Sequence, residues 1–290
     1  MLLDKAIVRL LPAVPKPVVQ LFASRYIAGP TLDDAVACVR ALNAEGKAAT
    51  VDVLGEEITH ADEARAIARA YLDVFSAIER ERLDSNVSVK LTALGLELSY
   101  ELCKENLLGV LEQGRFVRID MEDATTTDDT LRLYRELRES GVENVGIVLQ
   151  AYLRRTLGDV RALADLRPNV RLCKGIYVEP PSLAYTDADA IRTSFVQCLD
   201  GLLESGATVA AATHDEPLIR EALARDVPEL QMLLGVREDR ATELVAAGRR
   251  VRIYVPFGEQ WYAYSVRRLQ ENPALATTIA RTTVGRVLRF

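Results

Sequence analysis

The stretch "ATVDVLGEEITHADEARAIARAYLDVFSAIERER", residues 49–82, carries two periodicities in succession. Its first seven residues, "ATVDVLG", are short, β-branched and apolar, which is the pattern of a strand. From Thr59 onward, charged and apolar residues recur at helical spacing, with Thr59 expected as the N-cap and Glu63 close behind it. Seven more strand-like segments follow: "VSVKLTAL" (87–94), "RFVRIDME" (115–122), "VGIVLQAY" (145–152), "VRLCKGIY" (170–177), "ATVAAATHD" (207–215), "LQMLLGV" (230–236) and "RIYVPFG" (252–258). Helical stretches separate them, among them "TTDDTLRLYRELRESG" (126–141), where Gly141 is a natural C-terminal stop. Eight strands alternating with eight helices, with no linker or low-complexity break, predict an α/β protein built as a (βα)8 barrel. A doubly wound sheet would commonly carry a Gly-rich phosphate turn after its first strand, and no GxGxxG occurs. The expected organisation is an N-terminal helical segment over residues 1–30 and a single barrel domain over 31–290.

Composition narrows the function. The 290 residues are 49% hydrophobic and 27% charged, enough apolar material for a large core. A net charge of −6 argues against a nucleic-acid partner, which would call for a basic face. Cys38, Cys103, Cys173 and Cys198 form no CxxC pair and read as reduced, mostly buried thiols of an intracellular protein. With only His60 and His214 present, a multi-histidine metal site is nearly excluded. No apolar run approaches the ~18 residues that span a bilayer. The first 29 residues contain Asp4 and three prolines where a signal peptide needs an unbroken apolar core. They read as a segment packed on the barrel, or as an amphipathic contact with a membrane surface.

Barrel enzymes place their chemistry at the C-terminal ends of the strands and in the loops beyond. The polar residues there are Asp52, Glu56, Lys90, Asp120, Glu122, Gln150, Arg171, Lys174, Thr213, His214, Gln231 and Tyr254. One or two would pass as structural ion pairs, but the whole set marks a site. Beyond the last strand, "YSVRRLQEN" (264–272) puts Tyr264, Arg267, Arg268 and Glu271 in one arc of a helix, opposite Tyr262, Val266 and Leu269. Solvent is the ordinary partner of such a face. Adjacent arginines also suit a planar anion, because the guanidinium fork pairs bidentately with carboxylate. A second cationic group, "RLCKG" (171–175), could hold phosphates, with Gly175 letting the backbone come close to a ligand. Two anion sites around one aromatic-lined mouth suggest a small carboxylate substrate and a phosphate-bearing cofactor.

The blocks "DVLGE", "SVKLTAL", "IDME", "LQAYLRR", "RLCKGIY", "ATHD", "LQMLLG", "IYVPFG" and "YSVRRLQEN" occur in the order seen in proline dehydrogenases. Over about residues 30–285 the chain resembles the stand-alone bacterial enzymes and the matching domain of the bifunctional proline-catabolism proteins. The resemblance implies a distorted barrel holding FAD non-covalently, with the eighth helix over the mouth, so that the Tyr264–Arg268 face meets substrate. It implies oxidation of L-proline to 1-pyrroline-5-carboxylate by hydride transfer to flavin N5, with electrons passed to a quinone. Asp120 and Arg171 match catalytic positions, with Arg171 near the reactive edge of the flavin. Arg267, Arg268 and Lys90 match the carboxylate clamp, Tyr254 and Tyr264 the walls of the ring pocket, and Leu233 its packing. Met121, Gln150, Lys174, Gly175, Ile176, Thr213, His214 and Glu271 are carried over as cofactor contacts, and Glu56 as the acid that pairs with the first arginine on closure. Where many relatives have a small residue after "KG", this chain has Ile176. No metal is required. The resemblance further implies a cytoplasmic protein, or a peripheral one at the inner face of the membrane, and functional coupling to a pyrroline-5-carboxylate dehydrogenase. A Schiff-base aldolase using Lys90 or Lys174, and a non-catalytic carboxylate-binding barrel, are the alternatives.

Overall fold

The protein is described here by a computed structural model that covers residues 25–55 and 58–261. Within them, eight parallel strands close into one barrel in sequence order. They are β1 (Ala48–Val53), β2 (Ser85–Val89), β3 (Val117–Ile119), β4 (Val145–Gln150), β5 (Asn169–Cys173), β6 (Thr208–Ala212), β7 (Glu229–Leu233) and β8 (Val251–Phe257). Helix α1 (Leu32–Ala44) precedes β1. Helices α2 (Ala61–Arg80), α3 (Tyr100–Leu111), α4 (Thr127–Glu139), α5 (Thr156–Ala162), α6 (Ala188–Glu204), α7 (Glu216–Ala224) and α8 (Glu238–Ala246) each follow one strand from β1 to β7. Helix α1 packs on β8 and β1, so a helix from before the barrel covers its last seam. The helix expected after β8, with its place over the mouth, lies outside the described residues, as do residues 1–24.

The strands alternate, and the alternation decides what faces where. Val51 and Val53, Val87 and Val89, Val117 and Ile119, Val170 and Leu172, and Leu230 and Met232 belong to one apolar core with the inner faces of the helices. Fully burying one such side chain contributes about 1.5–3 kcal/mol. The opposite parity, facing the barrel axis, reads Thr50 and Asp52, Asn86 and Ser88, Arg118 and Asp120, Asn169 and Arg171, Glu229 and Gln231, Arg252 and Tyr254. Six of the eight strands therefore turn polar side chains to the axis, while β4 and β6 give it Val148 and Ala210.

All eight strands lie where the sequence puts them, but most are shorter than their apolar segments. The segment at 115–122 keeps only three residues in the ladder. Its continuation turns into mouth loop after the Asp120 N–H donates to Val89 O at 2.9 Å. The N-terminus of α2 also differs from expectation. His60, not Thr59, is the N-cap residue, and Glu63 accepts from the main-chain N–H of both, at 2.8 and 2.9 Å. A reaching glutamate serves two orphan donors where one capping hydroxyl would serve one. Gly141 stops α4 as expected, with φ +90° just past the helix end.

Candidate active site

Toward the C-terminal ends of the strands, six of them bring their inward side chains into one hydrogen-bonded chain. Lys90 Nζ lies 2.7 Å from Asp52 Oδ2 and 3.4 Å from Tyr254 OH. Tyr254 OH donates to Asp120 Oδ2 at 2.7 Å. Asp120 Oδ1 accepts from Arg171 Nη1 at 2.8 Å and from Ser88 Oγ at 3.0 Å. Arg171 also donates from Nη1 to Ser88 Oγ at 3.0 Å and from Nε to Gln231 Oε1 at 2.5 Å, and its guanidinium stands 5.3 Å from the Tyr254 ring centre. Acid, base, phenol and guanidinium thus share partners rather than forming isolated pairs.

Burial sets the electrostatics. Asp52 is fully buried, and desolvation raises its pKa against the pull of Lys90, with Asp120 adding a further upward push. Desolvation opposes the charge on Lys90, yet Asp52 and Asp120 outweigh it and hold the ammonium well above the usual lysine range. Tyr71 reaches in from α2 and donates to Ser88 O at 2.7 Å, with its OH 3.5 Å from Asp52 Oδ1. Burial and then Asp52 push that phenol far up, so it stays neutral.

Other expected residues take different positions. Glu122 turns to Thr92, accepting from its N–H at 3.0 Å and its hydroxyl at 2.5 Å, and so ties the loops after β2 and β3 together. Gln150 Nε2 donates to Glu122 O at 2.7 Å. Lys174 Nζ and Arg192 Nε both meet Asp215 Oδ2, at 3.1 and 3.0 Å. Burial would raise Asp215, but Arg192 and Lys174 hold it below the usual carboxylate range. Thr213 Oγ1 accepts from the Asp215 N–H at 3.1 Å, and His214 Nε2 accepts from the Leu233 N–H at 3.0 Å. Met121 is buried behind the mouth, Ile176 is exposed on its rim, and Leu233 is the register partner of Tyr254. Gly175 has φ +110°, and a Cβ there would lie 1.9 Å from the Tyr152 ring. Both facts demand glycine, so the packing of Tyr152 accounts for it before any ligand is considered. Glu56, Tyr264, Arg267, Arg268 and Glu271 lie outside the described residues.

Sequence reading passed over Ser88 and Tyr71, which complete the chain, and Glu229, which supports Gln231. Parity would have found two of them: Ser88 stands two residues before Lys90, and Glu229 two before Gln231. Tyr71 gives no such signal, because it enters from a helix.

A closed parallel barrel with paired, buried acids and bases at the C-terminal ends of its strands is built as a barrel enzyme. The sequence pattern of the family described as Proline dehydrogenase matches residues 35–281. The chain is 38% identical over 274 residues to Proline dehydrogenase 1 of Bacillus subtilis subsp. natto, covering 90% of each. It is 36% identical over 275 residues to the Proline dehydrogenase of Deinococcus radiodurans, covering 89% of each. Among solved structures, proline utilization A (PutA) from Bdellovibrio bacteriovorus, inactivated by N-propargylglycine, superposes with a TM-score of 0.81 at 27% identity. That match takes in 92% of this chain and 36% of the longer one. The chain belongs to the proline dehydrogenase family.

Proposed function

We propose that the protein oxidises L-proline to 1-pyrroline-5-carboxylate with FAD as the bound cofactor, and that a quinone finally receives the electrons. The observation that carries this reading is the chain Asp52–Lys90–Tyr254–Asp120–Arg171, which sets an ammonium and a guanidinium beside a phenol at the barrel mouth. The reaction removes a hydride from the carbon next to nitrogen and a proton from the nitrogen, leaving a C=N bond. Bound at the mouth, FAD supplies the two-electron acceptor for that hydride.

The described residues suit such a cofactor. Lys174 gives one N–H to Asp215 and keeps the rest of a half-exposed ammonium for a phosphate. Arg171 offers a planar cation inside the mouth, and Ile176 an exposed apolar face beside Gly175. Gln150, Met121, Thr213, His214 and Glu271 are assigned as further contacts by resemblance.

Toward proline, Lys90 keeps a proton under all ordinary conditions and can place N–H donors on a carboxylate, joined by Arg267 and Arg268. A fixed positive charge next to the substrate amine lowers that amine's pKa, favouring the neutral form whose lone pair assists hydride loss. Tyr254 and Tyr264 wall the ring, Leu233 packs on it, and Glu56 pairs with Arg267 on closure. Orientation of this kind can supply several kcal/mol. A Schiff base on Lys90 is disfavoured, because it needs a lysine that loses its proton easily, and Lys90 is held the other way. Coupling to a pyrroline-5-carboxylate dehydrogenase and peripheral contact with the inner face of the membrane belong to the same proposal. No described helix is long and apolar enough to cross a membrane.

The test is the visible spectrum of the purified protein under anaerobic conditions, before and after L-proline. Flavin bands that bleach on addition are expected, and re-oxidation by a soluble quinone analogue should follow. A colourless protein that binds no FAD, or flavin bands indifferent to proline, would overturn the reading.

A further inference from the structure

Gln231 lies beneath Arg171, on the inner face of β7, and is buried. Its Oε1 accepts from Arg171 Nε at 2.5 Å, and its Nε2 donates to Glu229 Oε1 at 2.6 Å. A guanidinium only donates and an ionised carboxylate only accepts, so one orientation of the amide satisfies both. Glu229 is fixed in turn by Arg252 Nε and Arg250 Nε, each at 3.0 Å, and Arg252 Nη1 donates to Ala49 O at 2.6 Å. The relay therefore begins at the main chain of β1 and ends on the guanidinium of Arg171.

We propose that Gln231, oriented by Glu229, is a positioning residue that sets the plane of the Arg171 guanidinium. The inference rests on the proline-oxidising reading, in which Arg171 stands beside the flavin. Ser88 and Asp120 hold Nη1 alone, which leaves the group free to pivot about that corner. Gln231 takes Nε on a second edge, and two edges of a planar group fix the third. That third edge, Nη2, makes no hydrogen bond among the described residues and is the one left to face a ligand. Donors fixed before charge develops lower a barrier, whereas donors that must first reorient do not.

The test uses the FAD-loaded enzyme and two variants. Gln231→Leu keeps the volume and removes both hydrogen bonds. The double variant Gln231→Glu with Glu229→Gln reverses the polarity, with a carboxylate accepting from Arg171 and the amide beneath it donating to that carboxylate, while Arg252 gives up its bond to residue 229 and keeps Ala49 O. For Gln231→Leu, anaerobic flavin reduction at saturating proline should slow about 10- to 100-fold per bound flavin. Half-saturating proline and the Kd for FAD, read by fluorescence quenching on the apoprotein, should stay within about threefold. The visible bands and the midpoint potential of the flavin should also shift, which a packing role would not produce. The double variant should recover to within about fivefold of the wild-type rate.

A Gln231→Leu protein with wild-type bands and a rate within twofold of wild type would overturn the proposal. If that variant does not fold, a folded double variant as slow as expected for the leucine change would overturn it equally. A wild-type protein that proline does not bleach would instead sink the proline-oxidising reading, and this one with it. Bleaching of wild type and Gln231→Leu at equal rates removes the positioning role alone.

Discussion

At the base of the barrel Arg118 and Arg252 each reach main-chain carbonyls as well as a side chain, whereas at the mouth Lys90 and Arg171 meet side chains alone. Arg118 Nη1 donates to Ile147 O and Asn169 O at 3.1 and 2.7 Å, and its Nη2 to Asn169 Oδ1 at 2.6 Å. It has room because Gly146 lies beneath it; a Cβ there would come within 2.5 Å of Arg118 Nη1. Lys90 and Arg171, by contrast, meet Asp52, Asp120, Ser88, Gln231 and the Tyr254 hydroxyl. A carbonyl in a closed barrel cannot move without the strand, but a carboxylate can turn toward a ligand and back. The base is thus fixed by the fold, and the mouth is held by partners that a substrate or cofactor can share. The two layers also feel each other. Burial, and then the charge of Arg171, lower the Arg118 pKa to about 9.

The sharpest way to break this comparison is to remove one charge from each layer. Asp120→Asn should lower the per-flavin rate about 100-fold, the usual cost of losing one preorganised electrostatic partner. Its thermal stability should fall less than that of the base variant, since the Tyr254 hydroxyl can reverse and accept from the new amide. Arg118→Met should do the opposite. It removes the donors to Ile147 O, Asn169 O and Asn169 Oδ1, at about 1–3 kcal/mol for each group left unsatisfied, and its per-flavin rate should stay within about threefold of wild type. Melting curves and stopped-flow reduction of both proteins decide the matter. A base variant that is stable but slow would erase the division of labour.

A smaller effect is expected at the phenol that joins the two halves of the mouth. Tyr254→Phe removes the donor to Asp120 Oδ2 and the acceptor near Lys90. One hydrogen bond to a charged group is worth about 1.5–3 kcal/mol; with Lys90 still paired to Asp52 and Asp120 to Arg171, the low end of that range applies and kcat/KM for proline should fall roughly tenfold. Discrimination against hydroxylated proline analogues should relax at the same time. An unchanged ratio of kcat/KM for proline and hydroxyproline would place Tyr254 away from the ring.

The difference between the layers also explains what the sequence revealed. Eight strands were legible because Val, Ile and Leu recur at every second position against the helices, as in "VSVKL" and "VRIYV". Asp120, Lys90, Arg171 and Tyr254 were legible because charge or phenol at a strand end is conspicuous there. Their partners were not, since a hydrogen-bond network joins residues distant in the chain; Arg171 and Ser88 are 83 positions apart. Glu122 looked like Asp120 on the page, yet it stands three residues past Ile119, where β3 ends, and ties a loop instead. Gly175 looked like an approach for ligand, and the space it leaves holds the ring of Tyr152. The arginine face at 264–272 lies outside the described residues, so its role stands on resemblance.

The smallest predicted effect concerns acid, and it compares the carboxylates that anchor each layer. Burial raises the pKa of Glu229, but Arg252 and then Gln231 and Arg250 bring it below the usual glutamate range. Asp215 at the mouth is lowered likewise by Arg192 and Lys174. A carboxylate depressed in the folded state contributes stability that is fully present above its unfolded pKa, about 4 for these groups. That contribution is lost as pH falls from there through the folded value. Wild-type protein should therefore lose Tm as pH falls below about 4 partly through these two groups, and replacing either by its amide should flatten the fall. Glu229 has an arginine on each oxygen, and one of the two, Arg252, is itself buried. Asp215 shares one oxygen with two half-exposed cations, whose pull water screens. Glu229→Gln should accordingly flatten the acid limb more than Asp215→Asn, by no more than a few degrees in Tm. Equal slopes for the two variants would mean that solvent reaches the base of the barrel as freely as its mouth.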